Sequence, residues 1–175
     1  MSYFKAIIDG RNEHRQKMNV RPTVRGLVFR DGAMLMIKTN RGDYKIPGGG
    51  VGRRETYEQA LVREIKEETG FICAKVGRKI GEIKELKNDT FDDEADFCMH
   101  SYFYEIEVSD EKGPQRLERY EAKLEFEPCW IPIVEAIKAN EMVLKKTADI
   151  PWLEREIKIL DKINQYYNGL STIEE

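Results

Sequence analysis

A glycine-rich turn running straight into a capped helix constrains this chain more than any other feature. The stretch is KIPGGGVGRRETYEQALVREIKEETGF, residues 45–71. Four glycines and a proline fall between Pro47 and Gly52, which predicts a shaped loop without regular structure. Thr56 and Gln59 then match a capping box, Leu61, Val62 and Ile65 supply an apolar stripe, and Gly70 is a stop signal. That spacing predicts a helix from about Tyr57 to Thr69.

Such a helix gathers Glu64, Glu67 and Glu68 within an arc of about 100°. Like charges at these spacings each cost roughly 0.2 to 0.5 kcal/mol on an exposed helix. The acidic face borders the apolar stripe, whereas Lys66 and Gln59 take the far side, where a merely solubilising face belongs. Two readings follow: a surface balanced by neighbouring bases, or a metal site. The loop favours the second. Glycine lets backbone approach a ligand closely, and carboxylates on a rigid helix are hard oxygen donors suited to Mg²⁺ or Mn²⁺. Such ions keep waters and bind substrate phosphates, so the pattern points to phosphate chemistry.

Around this segment, VRGLVFRDGAMLMIK (24–38) places two apolar runs about Asp31-Gly32, the signature of an antiparallel hairpin. Phe71 to Lys87 reads as one or two strands, Asp89 to Asp96 as an acidic loop, Cys98 to Val108 as an aromatic-rich strand and Ser109 to Arg116 as a loop. Leu124 to Ile131 alternates as a strand does, and a short helix is expected near Val134 to Ala139. A last helix, with Asp149 as cap and Pro151 in its first turn, carries Leu153, Ile157, Leu160 and Ile163 as its stripe. It is too short to stand alone and is expected to dock on the body or on a second copy. The layout is a mixed sheet with one early helix and helices at the end, in the α+β or layered α/β class.

With 175 residues, 35% of them charged and a net charge of −3, the chain reads as a single domain without a global pull on nucleic acid or anionic membrane. Cys73, Cys98 and Cys129 are scattered and odd in number, which fits reduced thiols and a cytoplasmic setting. Cys98 and His100 share a strand face, but two such groups alone fit packing better than a metal site. No stretch approaches the length of a membrane span.

From Gly49, the sequence GGVGRRETYEQALVREIKEETGF resembles the Nudix box: Gly49, Glu55, Arg63, Glu64, Ile65, Glu67, Glu68, Gly70 and Phe71 fill every specified position. The hairpin before it and PCWIPIVEAI after it extend the likeness from about Val20 to Ala139. That places the core at about 20–139, an N-terminal extension at 1–19 and a helical extension at 140–175. The resemblance implies an α/β fold, an α/β/α sandwich around a mixed sheet, with an added C-terminal helix. It also implies metal-dependent hydrolysis of a nucleoside diphosphate linked to another group, a small-molecule substrate, in a monomer or homodimer.

By the same likeness, Glu64, Glu67 and Glu68 hold Mg²⁺ or Mn²⁺, the carbonyl of Gly48 completes the shell, and Arg63 orients the glutamates, paired with Glu55. Arg63 as a plain i,i+4 partner of Glu67 is the simpler alternative. The general base is drawn from Glu64 or from Glu125 on the late strand, and alternation alone favours Glu125 as a solvent-facing residue. Arg25 is a candidate for a phosphate or base, or an outward strand residue. Tyr44 stands where many members have tryptophan, and Tyr44, Phe103 and Tyr104 are candidates to stack a base. Leu86 to Asp89 lack the proline and tyrosine that mark ADP-ribose and dinucleoside polyphosphate enzymes, which by elimination favours a nucleoside triphosphate split to monophosphate and pyrophosphate. A non-catalytic nucleotide sensor is the rival class, weakened because every metal-type carboxylate is present. A cap hydrolase should show a basic stripe, and none is evident.

Overall fold

The computed structural model describes residues 3–171 and shows helices on both sides of two sheets. In chain order the strands are β1 (Phe4–Asp9), β2 (Lys17–Leu27), β3 (Phe29–Arg30), β4 (Ala33–Lys38), β5 (Tyr44–Lys45), β6 (Gly48–Gly50), β7 (Phe71–Asn88), β8 (Ala95–Lys112) and β9 (Glu127–Ile131). The helices are α1 (Tyr57–Thr69), α2 (Arg119–Lys123), α3 (Ile133–Lys146) and α4 (Leu153–Ser171). One sheet has the order β1-β7-β8-β2-β6; in the other, β4 pairs with β3, β5 and β9. β1 and β2 run parallel to β7 and β8, while β7 and β8 form an antiparallel hairpin.

Local chemistry accounts for the elements that position the site. Asp31 and Gly32 both have positive φ, 50° and 77°, which is the backbone of a two-residue hairpin turn matched to strand twist. At α1, Thr56 accepts from the Gln59 amide and the Gln59 side chain accepts from the Thr56 amide, satisfying two orphan donors of the first turn. Gly70 closes the helix in the left-handed conformation, φ 76°, with its N–H on the Lys66 carbonyl, as a C-terminal glycine does.

Several expectations are corrected. Gly48–Gly50 is a short strand rather than an irregular loop: it pairs antiparallel with Thr23–Arg25, and the sheet edge absorbs the glycines. β8 runs on to Lys112, past the expected loop start at Ser109, and β7 stays one strand by accommodating register shifts. α3 is longer than the Val134–Ala139 helix and reaches Lys146, and α4 begins at Leu153, so Pro151 lies in the turn before it. The first residues do more than precede the core. Phe4 sits over Gly81, where a Cβ would come within 2.4 Å of its ring, and packs 5.4 Å from Phe103.

Side-chain alternation sends neighbouring strand residues to opposite layers. Phe103 joins Ile83, Ile137 and Leu160 on the α3/α4 side, whereas Tyr104 joins Val24, Leu61 and Ile65 under α1. α4 therefore docks on its own chain: Leu153, Ile159, Leu160 and Ile163 are buried. It also braces the segment that leads into the glycines. Glu156 accepts from the Ile46 amide at 2.7 Å, and Trp152 Nε1 donates to Asp43 at 2.9 Å. Asn140 on α3 bonds both the N–H and the carbonyl of Tyr44. Among the described residues no helix is long and apolar enough to cross a membrane.

Candidate active site

β6 and α1 meet at a cleft of about 350 Å³ on the α4 side of the larger sheet. Its floor is the sheet face carrying Arg21, Thr23, Arg25 and Met99, with Thr23 and Ser101 hydroxyls bonded at 2.8 Å beneath. Glu64 and Glu68 enter from α1, and Glu118, Tyr120 and Glu121 from the opposite rim. Lys45 and Arg155 complete the wall. That far rim is fixed to α1: the Arg116 amide donates to the Glu67 carbonyl at 2.8 Å, and Gln115 bridges the carbonyls of Glu68 and Phe126.

The box glutamates divide into two environments. Glu68 is buried and accepts the Gly48 amide at 2.9 Å. Burial pushes its carboxyl well above the ordinary carboxylate range, against the pull of that N–H and of Arg25. Glu64 is also raised by burial, offset by Arg63. Glu67 lies outside the cleft lining and bonds Arg63 at 3.0 Å. Arg63 is the hub of this side, reaching Glu55 at 2.5 Å, Glu64 at 2.7 Å and the Gly50 carbonyl at 3.1 Å. Arg63 is thus the i,i+4 partner of Glu67 and also ties Glu55 and Glu64 to the glycine strand. The guanidinium in turn holds the Glu55 carboxyl below its usual range.

Two glycines are required by geometry. Gly48 has φ 142°, and a Cβ there would lie 2.0 Å from the Val24 carbonyl oxygen. At Gly49 a Cβ would fall 2.5 Å from the Glu64 carboxylate. The first obstacle is backbone and the second is the tip of a side chain, so the two positions should respond differently to alanine. Gly49→Ala is expected to displace the Glu64 carboxylate and lower kcat at least tenfold, with thermal stability changed by less than about 1 kcal/mol. A steady-state assay beside a melting curve checks this; equal activity in the variant would show that the position of Glu64 is immaterial.

Among the other expected site residues, Arg25 does line the cleft, with Nη1 donating to the Ile46 carbonyl at 3.1 Å and the Gly48 carbonyl at 3.5 Å. Tyr44 does not line it and packs half-buried against the main core. Phe103 and Tyr104 are buried, 0% and 7% exposed, and so present no face to a base. Glu125 is corrected too. It precedes β9 in a turn at φ 53° and borders a separate cavity with Thr39 to Gly42.

Glu121, which sequence reasoning passed over, lines the cleft where Glu125 does not. It is 4% exposed, faces the cleft and raises the carboxyls of Glu64 and Glu68 by its charge. Its one visible signal was LERYEAK, a helical turn in which Glu118 and Glu121 share a face. Lys45 was missed as well. Its ammonium lies 5.1 Å from the Phe126 ring and 4.8 Å from the Trp152 ring, and burial together with Arg25 pushes its pKa down.

The donor set fits a divalent cation. Glu68 and Glu121 are buried and form no ion pair among the described residues, an arrangement that is costly unless a cation joins them. Among the described residues no three carboxylate, imidazole or thiol groups are already drawn around one point, so a bound ion would be held by glutamates that turn toward it.

The chain spans less than half the length of the curated relatives that it matches. It is 41% identical over 76 residues to an ADP-ribose pyrophosphatase of Methanocaldococcus jannaschii, a stretch covering 40% of this chain and 45% of that protein. A NUDIX hydrolase from Nitrosomonas europaea has a similar fold, with TM-score 0.55 and 18% identity over 86% of this chain and 90% of its own. The E. coli ORF135 protein aligns with TM-score 0.50 and 22% identity over 82% of this chain and 92% of its own. The NUDIX domain family matches residues 19–153. With the complete box on α1 and the α/β/α layering around it, the chain belongs to the NUDIX family.

Proposed function

We propose that this protein hydrolyses a phosphoanhydride bond in a nucleoside diphosphate linked to a further group, using a divalent metal ion. The observation that carries this reading is a cleft lined by both kinds of charge: Glu64, Glu68 and Glu121 at its rims, and Arg21, Arg25, Lys45 and Arg155 along its floor and wall. Carboxylates alone suit a cation and basic groups alone suit an anion. The two together suit a phosphate chain that carries its own metal.

Glu64 and Glu68 would hold the ion with the Gly48 carbonyl, and Glu67, which bonds Arg63 outside the cleft lining, would join its oxygen shell only by turning from that partner. When bound, Mg²⁺ or Mn²⁺ supplies charge neutralisation and an acidified water. The chain's own part is positioning. Arg63 fixes Glu64 against the glycine strand, Arg25 and Lys45 hold phosphate oxygens, and Glu64 or Glu121 accepts the proton of the attacking water. The water oxygen bonds to one phosphorus, and the bridging oxygen leaves with the other phosphate.

For the substrate, the relative's name favours ADP-ribose as the first compound to test. A nucleoside triphosphate is the second reading, favoured by the four basic side chains in one cleft, more than a diphosphate's charge requires. Product release measured over a panel with Mg²⁺ should show turnover of at least one of these, lost on adding excess chelator and restored by metal. Undiminished turnover in chelator would remove the metal from the reaction. A tenfold or greater advantage in kcat/KM for ADP-ribose or for the triphosphates decides between the two readings.

A further inference from the structure

A second cavity of about 380 Å³ lies at the tip of the β7–β8 hairpin, lined by Asn19, Arg21, Lys87, Phe91, Phe97 and Met99 among others. It is the continuation of the cleft, because Arg21 and Met99 line both. The register shows why. Thr23↔Ser101, Arg21↔Met99 and Asn19↔Phe97 are successive same-face pairs of β2 and β8, since side chains alternate along a strand. From Thr23 in the cleft to Asn19 in the cavity is four residues, about 13 Å along the strand. The two cavities form one trough on one sheet face.

The far end of the trough is built of rings on a braced turn. Phe91 is fully exposed, yet the turn that carries it is tied down. Its N–H donates to Asp89 at 2.8 Å, Asn19 donates to the same carboxylate at 2.9 Å, and Arg15 Nη1 bonds the carbonyls of Asp89, Asp92 and Ala95. Phe97, half-buried, lies across the strand from Asn19 and Lys87, with the Lys87 ammonium 5.2 Å from its ring. A large apolar ring held out at a fixed place beside a second ring and a thioether offers a surface for a flat aromatic ligand.

Resting on the hydrolase reading for the phosphate end, we infer that this cavity seats the nucleobase of the nucleotide whose diphosphate lies in the cleft. Phe91 and Phe97 stack the base, and Arg21 stands at the junction with the phosphates. Stacking on phenylalanine reads the π-face common to all bases, so selectivity among bases is weak and the advantage of having a base is large.

The test is calorimetric titration of ADP and of pyrophosphate, each with Mg²⁺, into the wild-type protein and into Phe91→Ala. Phe91 is wholly exposed, so its removal does not threaten folding, and Phe97→Leu serves as a second variant that retains apolar bulk. ADP should bind the wild type at least tenfold more tightly than pyrophosphate, and Phe91→Ala should remove roughly five- to hundredfold of that advantage while pyrophosphate binding is unchanged. GDP and UDP should fall within about tenfold of ADP. ADP binding no tighter than pyrophosphate, or an advantage untouched in both variants, overturns the proposal. Binding of ADP through Phe91 without turnover of any nucleotide would leave the base site standing and remove the hydrolase reading instead.

Discussion

Replacing Glu68 by glutamine is expected to cut hydrolysis by about a thousandfold, the equivalent of ~4 kcal/mol of transition-state stabilisation, while making the metal-free protein more heat-stable. Both effects have one cause. Glu68 is buried beside Glu64 and Glu121, held by the Gly48 amide and by no ion pair among the described residues. Its buried charge is costly without a cation and becomes useful only with one. The sign of the pH dependence follows. Burial raises the folded-state pKa above the unfolded one, so the folded protein holds the proton more tightly and stability is lost as pH rises through the folded value. Glutamine, which cannot ionise, removes that loss. The melting-temperature advantage of Glu68→Gln should therefore be present at about pH 8.5 and fade by about pH 5. A variant that is fully active, or less stable at both pH values, would make Glu68 a structural residue.

Glutamine at position 67 serves as the contrast. Glu67 sits at the rim, paired with Arg63, and lies outside the cleft lining. The helical spacing that grouped Glu64, Glu67 and Glu68 is correct as geometry, but a helix face does not by itself say which of its members looks into a cleft. That depends on what the loop in front of it does. Here the glycine strand pairs with Thr23–Arg25 and brings the Gly48 amide to Glu68, a long-range arrangement that the box alone does not encode.

The same distinction separates what was legible from what was not. The α1 boundaries, the Asp31-Gly32 hairpin and the acidic face rest on interactions within a few residues, and capping and turn chemistry are written locally. Tyr44, Phe103 and Tyr104 were offered to a base because aromatic residues look alike in sequence whichever way they face. Only the pairing of β8 with both β2 and β7 places Phe103 in one core layer and Tyr104 in the other. Alternation puts Glu125 on the late strand, whereas it stands in the turn before that strand at φ 53°, outside the cleft lining, and the short helix α2 presents Glu121 there instead. The parallel pairing of β1 with β7 joins segments 77 residues apart, as in Phe4↔Gly81, and leaves no local trace.

Truncation before Asp149 should abolish both folding and activity, although α4 contributes no residue to the Nudix box. Leu153, Ile157, Ile159, Leu160 and Ile163 are each 9% exposed or less. At roughly 1.5 to 3 kcal/mol for each buried side chain, their loss matches the entire 5 to 15 kcal/mol by which a domain is stable. The lost polar contacts bear on the cleft directly. Without Glu156 the Ile46 amide loses its partner, without Trp152 Asp43 loses one of its donors and the Lys45 ammonium one of its two rings, and Arg155 disappears from the basic wall. A gentler version separates the two roles. Glu156→Gln keeps a side-chain oxygen for the Ile46 amide and all of the apolar contacts, so it should fold. Glu156→Ala leaves a buried N–H unsatisfied one residue before Pro47-Gly48, which costs about 1 to 3 kcal/mol and frees the segment that sets Gly48 against Glu68. The expected pattern is an insoluble or unfolded truncation, near-normal kcat in Glu156→Gln, and in Glu156→Ala a folded protein with kcat lowered at least tenfold. If the truncated chain melts cooperatively at the wild-type temperature and turns over substrate normally, α4 is an appendage and the bracing of the glycine strand lies elsewhere.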